Sequence, residues 1–251
     1  MKLELIYNFL DELSPFSLQE KWDNSGLLVG NLNDDIKEVH ISIDLDEEML
    51  ALIPNNSLII THHPLIFKAL KTVNYDSYST KLLKILIQKN IALISMHTNI
   101  DVSHLNKYVA QEILGLEIIP SEDFIVYAKV NMPFDDFSKY ISEKLNLSYN
   151  KVVKCSDYIQ SVALVTGAGM SFLEEVKADC FLTGDIKYHE AMEAKSRKIS
   201  LIDIRHYESE QAFSTLLMGL LEKYLENNKL KAIITASKNP FVFCKQGEPI
   251  E

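Results

Sequence analysis

No apolar run in this 251-residue chain approaches the roughly 18 residues that a membrane span requires. The N-terminal MKLELIYNFLDELSP carries acids inside its apolar pattern and so lacks the uninterrupted core of a signal peptide. The three cysteines, Cys155, Cys180 and Cys244, are widely spaced and contain no C-x-x-C pair. Neither a disulfide framework nor a thiolate zinc cluster is therefore expected, and a reducing, cytoplasmic location fits. Basic residues are the minority: 25 Lys and Arg against 35 Asp and Glu leave a formal charge of −10. That balance argues against broad nucleic-acid binding, which needs clustered cations facing phosphates. The nearest approach to a dinucleotide fingerprint, Gly167 and Gly169 after SVALV, has Phe172 where a third glycine would stand. A tight strand-to-helix turn is the preferred reading, a phosphate site the alternative.

What is present is a chain that is 47% hydrophobic, enough for one large or two modest domains. LIITHHPLIF, Leu58 to Phe67, is its most informative stretch. Leu58 to Thr61 reads as a strand buried on both faces, running directly into His62-His63-Pro64. Pro64 biases His63 toward extended geometry, so the two imidazoles are expected on opposite sides of the backbone, each reaching a different ion. The plain alternative is a loop with two exposed histidines. A second apolar strand, Ile91 to Met96, likewise ends in His97, Asn99 and Asp101. Strands that end in chemistry are the mark of an open α/β sheet.

Around these lie a helix in residues 1–21 with the stripe Leu5, Ile6, Phe9, Leu10 and Leu13, broken at Ser14-Pro15, and a turn at Trp22 to Gly26. Asp23 and Asn24 are either turn residues or polar groups for a substrate. Val39 to Asp46 alternates as a strand with one wetter face holding His40, and Asp46 opens a helix. Helices are expected at 79–89, capped by Ser79 or Thr80, and at 103–114, where His104 reads as structural. Near Pro120 the pattern resets. A strand FIVYAKVNM, a helix capped by Asp135 or Asp136 and a strand KVVKC open a second unit, giving domains at 1–121 and 122–251, with the last helix and strand free to pack back on the first. In that second half CFLTGD precedes a helix bearing His189, and SLIDIRHYESE precedes a long helix and the strand KAIITA. The chain thus repeats one device, implying two α/β units with strand-end ligands facing an interdomain cleft.

If the segment from His206 is helical, His206 and Glu210 share a face with Cβ atoms about 5 to 6 Å apart. Adding His62, His63 and Asp101 makes three imidazoles and two carboxylates, a donor set suited to zinc, iron or manganese. Five ligands exceed the three or so of a catalytic zinc, yet are too few for two separate ions. A shared carboxylate with water in the vacancies resolves the count, and two-metal sites have spacings of about 3.5 to 4 Å. His97 is a sixth ligand, an orienting neighbour or, with His189, a proton donor. Asp185 either contacts substrate or belongs to a satisfied polar pair with His189. Glu208 falls on another helical face.

WDNSGLLVG, THHP, HTNxD, TGD before a helix and H-x-x-x-E in the final helix together resemble the GTP cyclohydrolase 1 type 2 homologs, also called Ngg-interacting-factor-three-like proteins. The resemblance covers nearly the whole chain. It implies two linked α/β domains, a dinuclear centre on His62, His63, Asp101, His206 and Glu210, a toroidal hexamer built as a trimer of dimers, and hydrolytic opening of the guanine imidazole ring of GTP. The shared motifs specify a metal site rather than a purine pocket, so a non-catalytic metal-binding adaptor is the competing class. One departure is Arg205, where the family usually has Gly before the last histidine. It is expected to make the entrance near His206 cationic and favourable to anions.

Overall fold

A computed structural model describes residues 1–245 and 248–250. The strands are β1 (Gly26–Val29), β2 (Glu38–Ser42), β3 (Leu58–Thr61), β4 (Ala92–Ser95), β5 (Glu117–Ile119), β6 (Val126–Pro133), β7 (Val152–Val153), β8 (Tyr158–Leu164), β9 (Cys180–Thr183), β10 (Ser200–Asp203), β11 (Lys231–Ile234), β12 (Phe243–Lys245) and β13 (Glu248–Ile250). The chain divides into two units, Met1–Ile100 with Phe213–Lys238, and Asp101–Ala212 with Asn239–Glu251. The expected division at 121/122 therefore moves to residue 100. A helical segment that starts at Thr98, not 103, carries the chain across that point, so no extended linker marks the change.

The first unit holds a five-stranded sheet in the order β1-β4-β3-β2-β11. β4, β3, β2 and β11 are mutually parallel and β1 is antiparallel to β4. Helices Glu47–Leu52 and Tyr78–Gln88 supply the crossovers that parallel neighbours require. Their apolar stripes meet the sheet in a cluster that includes Met49, Leu50, Ile59, Leu82, Leu86 and Leu93. All four residues of β3 and of β4 are buried, as continuous apolar runs in a doubly covered parallel sheet should be. Each fully buried Leu or Ile contributes on the order of 1.5–3 kcal/mol, so β3 is among the costliest places in the chain for a polar substitution.

Asp46 is the N-cap of its helix, accepting from the Met49 amide at 2.6 Å. At the chain start the helix is Leu3–Leu13 and stops at Ser14-Pro15; Leu3, Ile6 and Leu10 are its buried side, while Leu5 is exposed. Phe9 stacks on Tyr224 with ring centroids 3.9 Å apart, fixing that helix to helix Phe213–Asn227.

Three local expectations change. β2 has no wet face: Val39 to Ser42 are all buried, and His40 has both ring nitrogens engaged, Nδ1 with Thr235 and Nε2 with Glu38. The helix expected at 79–89 starts at Tyr78, with Ser77 at the cap position. Asp135 and Asp136 lie in the first turn of helix Phe134–Lys144, whose cap position is Pro133. There they face the positive end of the helix dipole rather than closing it by hydrogen bonds.

The second unit holds a six-stranded sheet, β5-β6-β8-β9-β10-β7, with β8, β9 and β10 mutually parallel and the β5–β6, β6–β8 and β10–β7 pairings antiparallel. Its core cluster includes Ala163, Val165, Phe181 and Leu201, with Ala194 contributed by helix Tyr188–Ser196. β12 and β13 pair antiparallel after β11, in a stretch for which the sequence pattern predicts no element. No helix among the described residues is long and apolar enough to cross a membrane.

Candidate metal centre

In the first unit the register aligns Ser42, Thr61 and Ser95 across β2, β3 and β4. The residues that leave these strands therefore emerge at one sheet edge: Asp44 after β2, His62 and His63 after β3, His97 after β4. The ladder continues past β3, with the His62 amide donating to Ser42 O and the His63 amide to Ile43 O. The Thr61 hydroxyl donates to His63 O at 2.9 Å. These bonds fold the segment, and the two imidazoles do not diverge as Pro64 alone predicts. Their ring centroids are 4.9 Å apart. Ligand-type atoms of His62, His63 and His97 all lie within 4.8 Å of one another.

Each of these rings is oriented through Nδ1. His62 donates to Met96 O at 2.9 Å, His63 to Asp44 Oδ1 at 3.0 Å, and His97 to Asp23 Oδ1 at 2.7 Å. A carbonyl or carboxylate can only accept, so Nδ1 carries the hydrogen and Nε2 becomes the nitrogen through which the ring would bind a metal. Asp23 is more than a turn residue. Its fully buried side chain accepts from His97, from the Asn24 amide, from the Ser25 hydroxyl and from both donors of Thr98. Burial works to raise its pKa, but the hydrogen bonds and charge of His97, with Thr98 and Asn24, prevail and hold it well below the usual carboxylate range. Asn24 is committed to the fold through its side-chain amide, which donates to Ile66 O at 2.5 Å. Of these partners Asp44 and Met96 O escape sequence reasoning, though Asp44 sits two residues past a strand end, where the pattern already pointed. Asp101 is buried at the head of the π-helical turn Asp101–Leu105, a geometry frequent at functional sites.

The second unit repeats the device with a smaller set. His206 and Glu210 occupy helix His206–Glu210, and His206 Nε2 lies 3.2 Å from Glu210 Oε2. His206 Nδ1 donates to Asp185 Oδ2 at 2.7 Å, so Asp185 orients a ligand-type ring rather than pairing with His189. His189 is exposed on helix Tyr188–Ser196, edge-on to Tyr188 at 5.3 Å, and among the described residues it joins no group of three metal-type donors. Glu210 is 2% exposed, and a Cβ at Gly167 would come within 2.1 Å of its Oε1. Gly167, at φ 60°, is thus required both by its backbone and by the carboxylate it makes room for. Its amide donates to the Ser209 hydroxyl and that of Gly169 to Thr183 Oγ1, so this glycine pair builds a tight turn.

Arg205 overturns its expectation. Its guanidinium is largely buried, paired with Glu208 at 2.9 Å, donating to Tyr149 O at 2.6 Å, and lying over the rings of Phe243 and Tyr149 at 3.7 and 4.6 Å. A charge so engaged does not present a cationic entrance. The backbone at Arg205, φ 60° and ψ 163°, belongs to a region used almost only by glycine, which costs a non-glycine residue about 1–3 kcal/mol.

Donor chemistry and cradle fit a transition metal: imidazoles fixed in one tautomer in the first unit, and in the second an imidazole–carboxylate pair with a glycine cut to its shape. The model of the family described as Duf34/NIF3 (NGG1p interacting factor 3) matches residues 1–240. The chain belongs to the Duf34/NIF3 family. A Campylobacter jejuni member named GTP cyclohydrolase 1 type 2 homolog is 50% identical over 244 residues, covering 97% of this chain and all of that one. A Helicobacter pylori protein named GTP cyclohydrolase 1 type 2 is 45% identical over 217 residues, 86% of this chain and 89% of its own length. Among solved structures, a Staphylococcus aureus protein at 29% identity superimposes with a TM-score of 0.82 over 97% of this chain and 99% of its own.

Proposed function

We infer that this Duf34/NIF3 protein is a metal-dependent hydrolase. The observation that carries the reading is the three-imidazole group of the first unit, in which every ring is held through Nδ1 and the ligand-type atoms lie within 4.8 Å of one another. The ligand set is His62, His63, Asp101, His206 and Glu210, holding two divalent ions per chain from among zinc, iron and manganese. His97, by its distance from His62 and His63, serves as a further ligand or as the group that moves a proton at the leaving atom.

When bound, such ions would polarise an electrophilic carbon or phosphoryl group and lower the pKa of water toward about 7. The chain's own part is orientation. Met96 O, Asp44, Asp23 and Asp185 fix four imidazoles, and Gly167 leaves the Glu210 carboxylate its place. The name of the Helicobacter relative supports hydrolytic opening of the imidazole ring of GTP as the reaction, with a nucleotide as the small-molecule substrate. A cytoplasmic homohexamer, a trimer of dimers, is the proposed assembly. The test is turnover of GTP and of a panel of nucleotides, cyclic amides and phosphate esters by metal-loaded protein, before and after Asp101→Ala. Turnover that survives in folded Asp101→Ala would remove this centre from the reaction, and metal binding without any turnover would favour the adaptor.

A further inference from the structure

Arg205 stands immediately before His206, in a backbone conformation that glycine adopts freely and arginine does not. Its peptide is gripped on several sides. The Arg205 amide donates to Asp203 Oδ1 at 3.0 Å, and its carbonyl accepts from the Ser209 hydroxyl at 2.6 Å. A Cβ at Gly184 would lie 2.6 Å from its carbonyl carbon, so the two main chains are in close contact. The residue after that glycine, Asp185, is the one that receives His206 Nδ1. Any rotation of the Arg205 peptide therefore moves the root of His206 against the group that orients its ring.

The side chain spans from this peptide to the C-terminal segment. Its guanidinium lies over Phe243 of β12 and over Tyr149, two rings that themselves meet edge to face at 5.3 Å. The same segment is tied to the helix of His206 a second time, through Asn239 Nδ2 to Glu208 Oε1 at 3.4 Å. Glu208 is also the ion-pair partner of Arg205. A glycine at 205 would reach the same dihedrals with no strain but would have nothing to hold them.

We propose that Arg205 is a positioning residue: seated on Phe243 and Tyr149, its side chain locks the main chain that aims His206 at Glu210, which makes the C-terminal hairpin a structural part of the His206–Glu210 pair. The aromatic seat takes over the constraint that loop packing alone would have to supply to a glycine, and the hairpin acquires a role that its own sequence does not announce. The proposal rests on the metal reading for only one of its two readouts.

The first readout uses metal-free protein carrying nitrogen-15 histidine. The His206 Nδ1–H proton, assigned by its loss in His206→Asn, is expected as a resolved downfield signal. It should broaden away in Arg205→Gly and in Phe243→Ala and persist in Phe243→Tyr, which keeps the ring face. The second is cobalt(II) titration of the same proteins. Affinity should fall about tenfold or more in Arg205→Gly and Phe243→Ala, the usual loss when a ligand's orienting support is removed, with an altered visible absorption band. Lowered melting temperatures with the wild-type histidine signal and the wild-type cobalt spectrum would mean a merely structural role and overturn the proposal. If Arg205→Gly does not fold, Phe243→Ala decides it alone. Should wild-type protein take up no cobalt, the metal reading falls while the histidine signal still decides the role of Arg205.

Discussion

The two units use the same strand-end device, with different amounts of support. In the first, three rings from two neighbouring parallel strands are held by three separate oxygens, two of them on buried or half-buried aspartates and one on a main-chain carbonyl. In the second, one ring and one carboxylate come from a single helical turn, and their precision depends on what surrounds them: Asp185 behind the ring, Gly167 beside the carboxylate, Arg205 beneath the helix start. A sheet edge gives geometry through register. A helix gives i, i+4 proximity cheaply but leaves its aim to the loop that starts it. The second set should therefore be the more easily disturbed by substitutions that touch no ligand.

The largest expected effect comes from that difference. Gly167→Val puts a branched side chain where a Cβ already collides with Glu210 Oε1, in a left-handed backbone. We expect loss of the His206–Glu210 pair as a metal site and destabilisation of about 1–3 kcal/mol, checked by elemental analysis and urea unfolding. A variant that keeps full metal content would show that Glu210 does not need that space.

Next comes the support of the first set. Asp44→Asn and Asp23→Asn should each lower metal affinity about 10- to 100-fold by loosening His63 and His97. Asp23→Asn should also reduce stability, because its buried carboxylate accepts from five donors. Calorimetric titration with zinc reads the first effect and thermal unfolding the second. Equal affinities in wild type and both variants would reduce these aspartates to fold-stabilising roles. His40→Phe is the internal contrast. His40 is as buried as a ligand, yet both of its nitrogens are already used, so the substitution should cost stability while leaving metal content unchanged.

Much of this was legible from residue types alone, and the reasons are physical. Parallel strands buried on both faces appear as short apolar runs, and Leu58 to Thr61 and Ala92 to Ser95 announced both themselves and the polar residues after them. His206 and Glu210 could be paired because helical spacing is local. What escaped is non-local. The burial of His40, on a strand face expected to be wet, goes with a bond from its Nδ1 to Thr235, a partner nearly two hundred residues away. The convergence of His62 and His63 depends on ladder bonds to Ser42 and Ile43, which outweigh the local bias from Pro64. The burial of the Arg205 charge depends on Phe243 and Tyr149, neither adjacent in sequence.

The smallest expected effect comes from a residue that belongs to neither donor set. The Tyr78 hydroxyl donates to Leu45 O at 2.5 Å; although the residue as a whole is 59% exposed, desolvation at that hydroxyl, with Asp44 and Asp46 nearby, pushes its pKa up from 10.0 to about 12. A proton held more tightly in the folded state contributes stability that is complete below pH 10 and is lost as pH rises through 12. Tyr78→Phe should flatten the alkaline fall in stability over that interval, and tyrosinate absorbance should show one late-ionising phenol fewer. An identical alkaline unfolding curve in the variant would remove Tyr78 from the pH dependence.

The two-ion reading is tested most directly by the metal content of the protein purified without added chelator, measured by elemental analysis on wild type, His63→Ala and Glu210→Ala side by side. About two transition-metal ions per wild-type chain are expected, as a two-metal centre requires, and clearly fewer in each variant, with folding of all three verified by circular dichroism. Full and equal occupancy in both variants would contradict it.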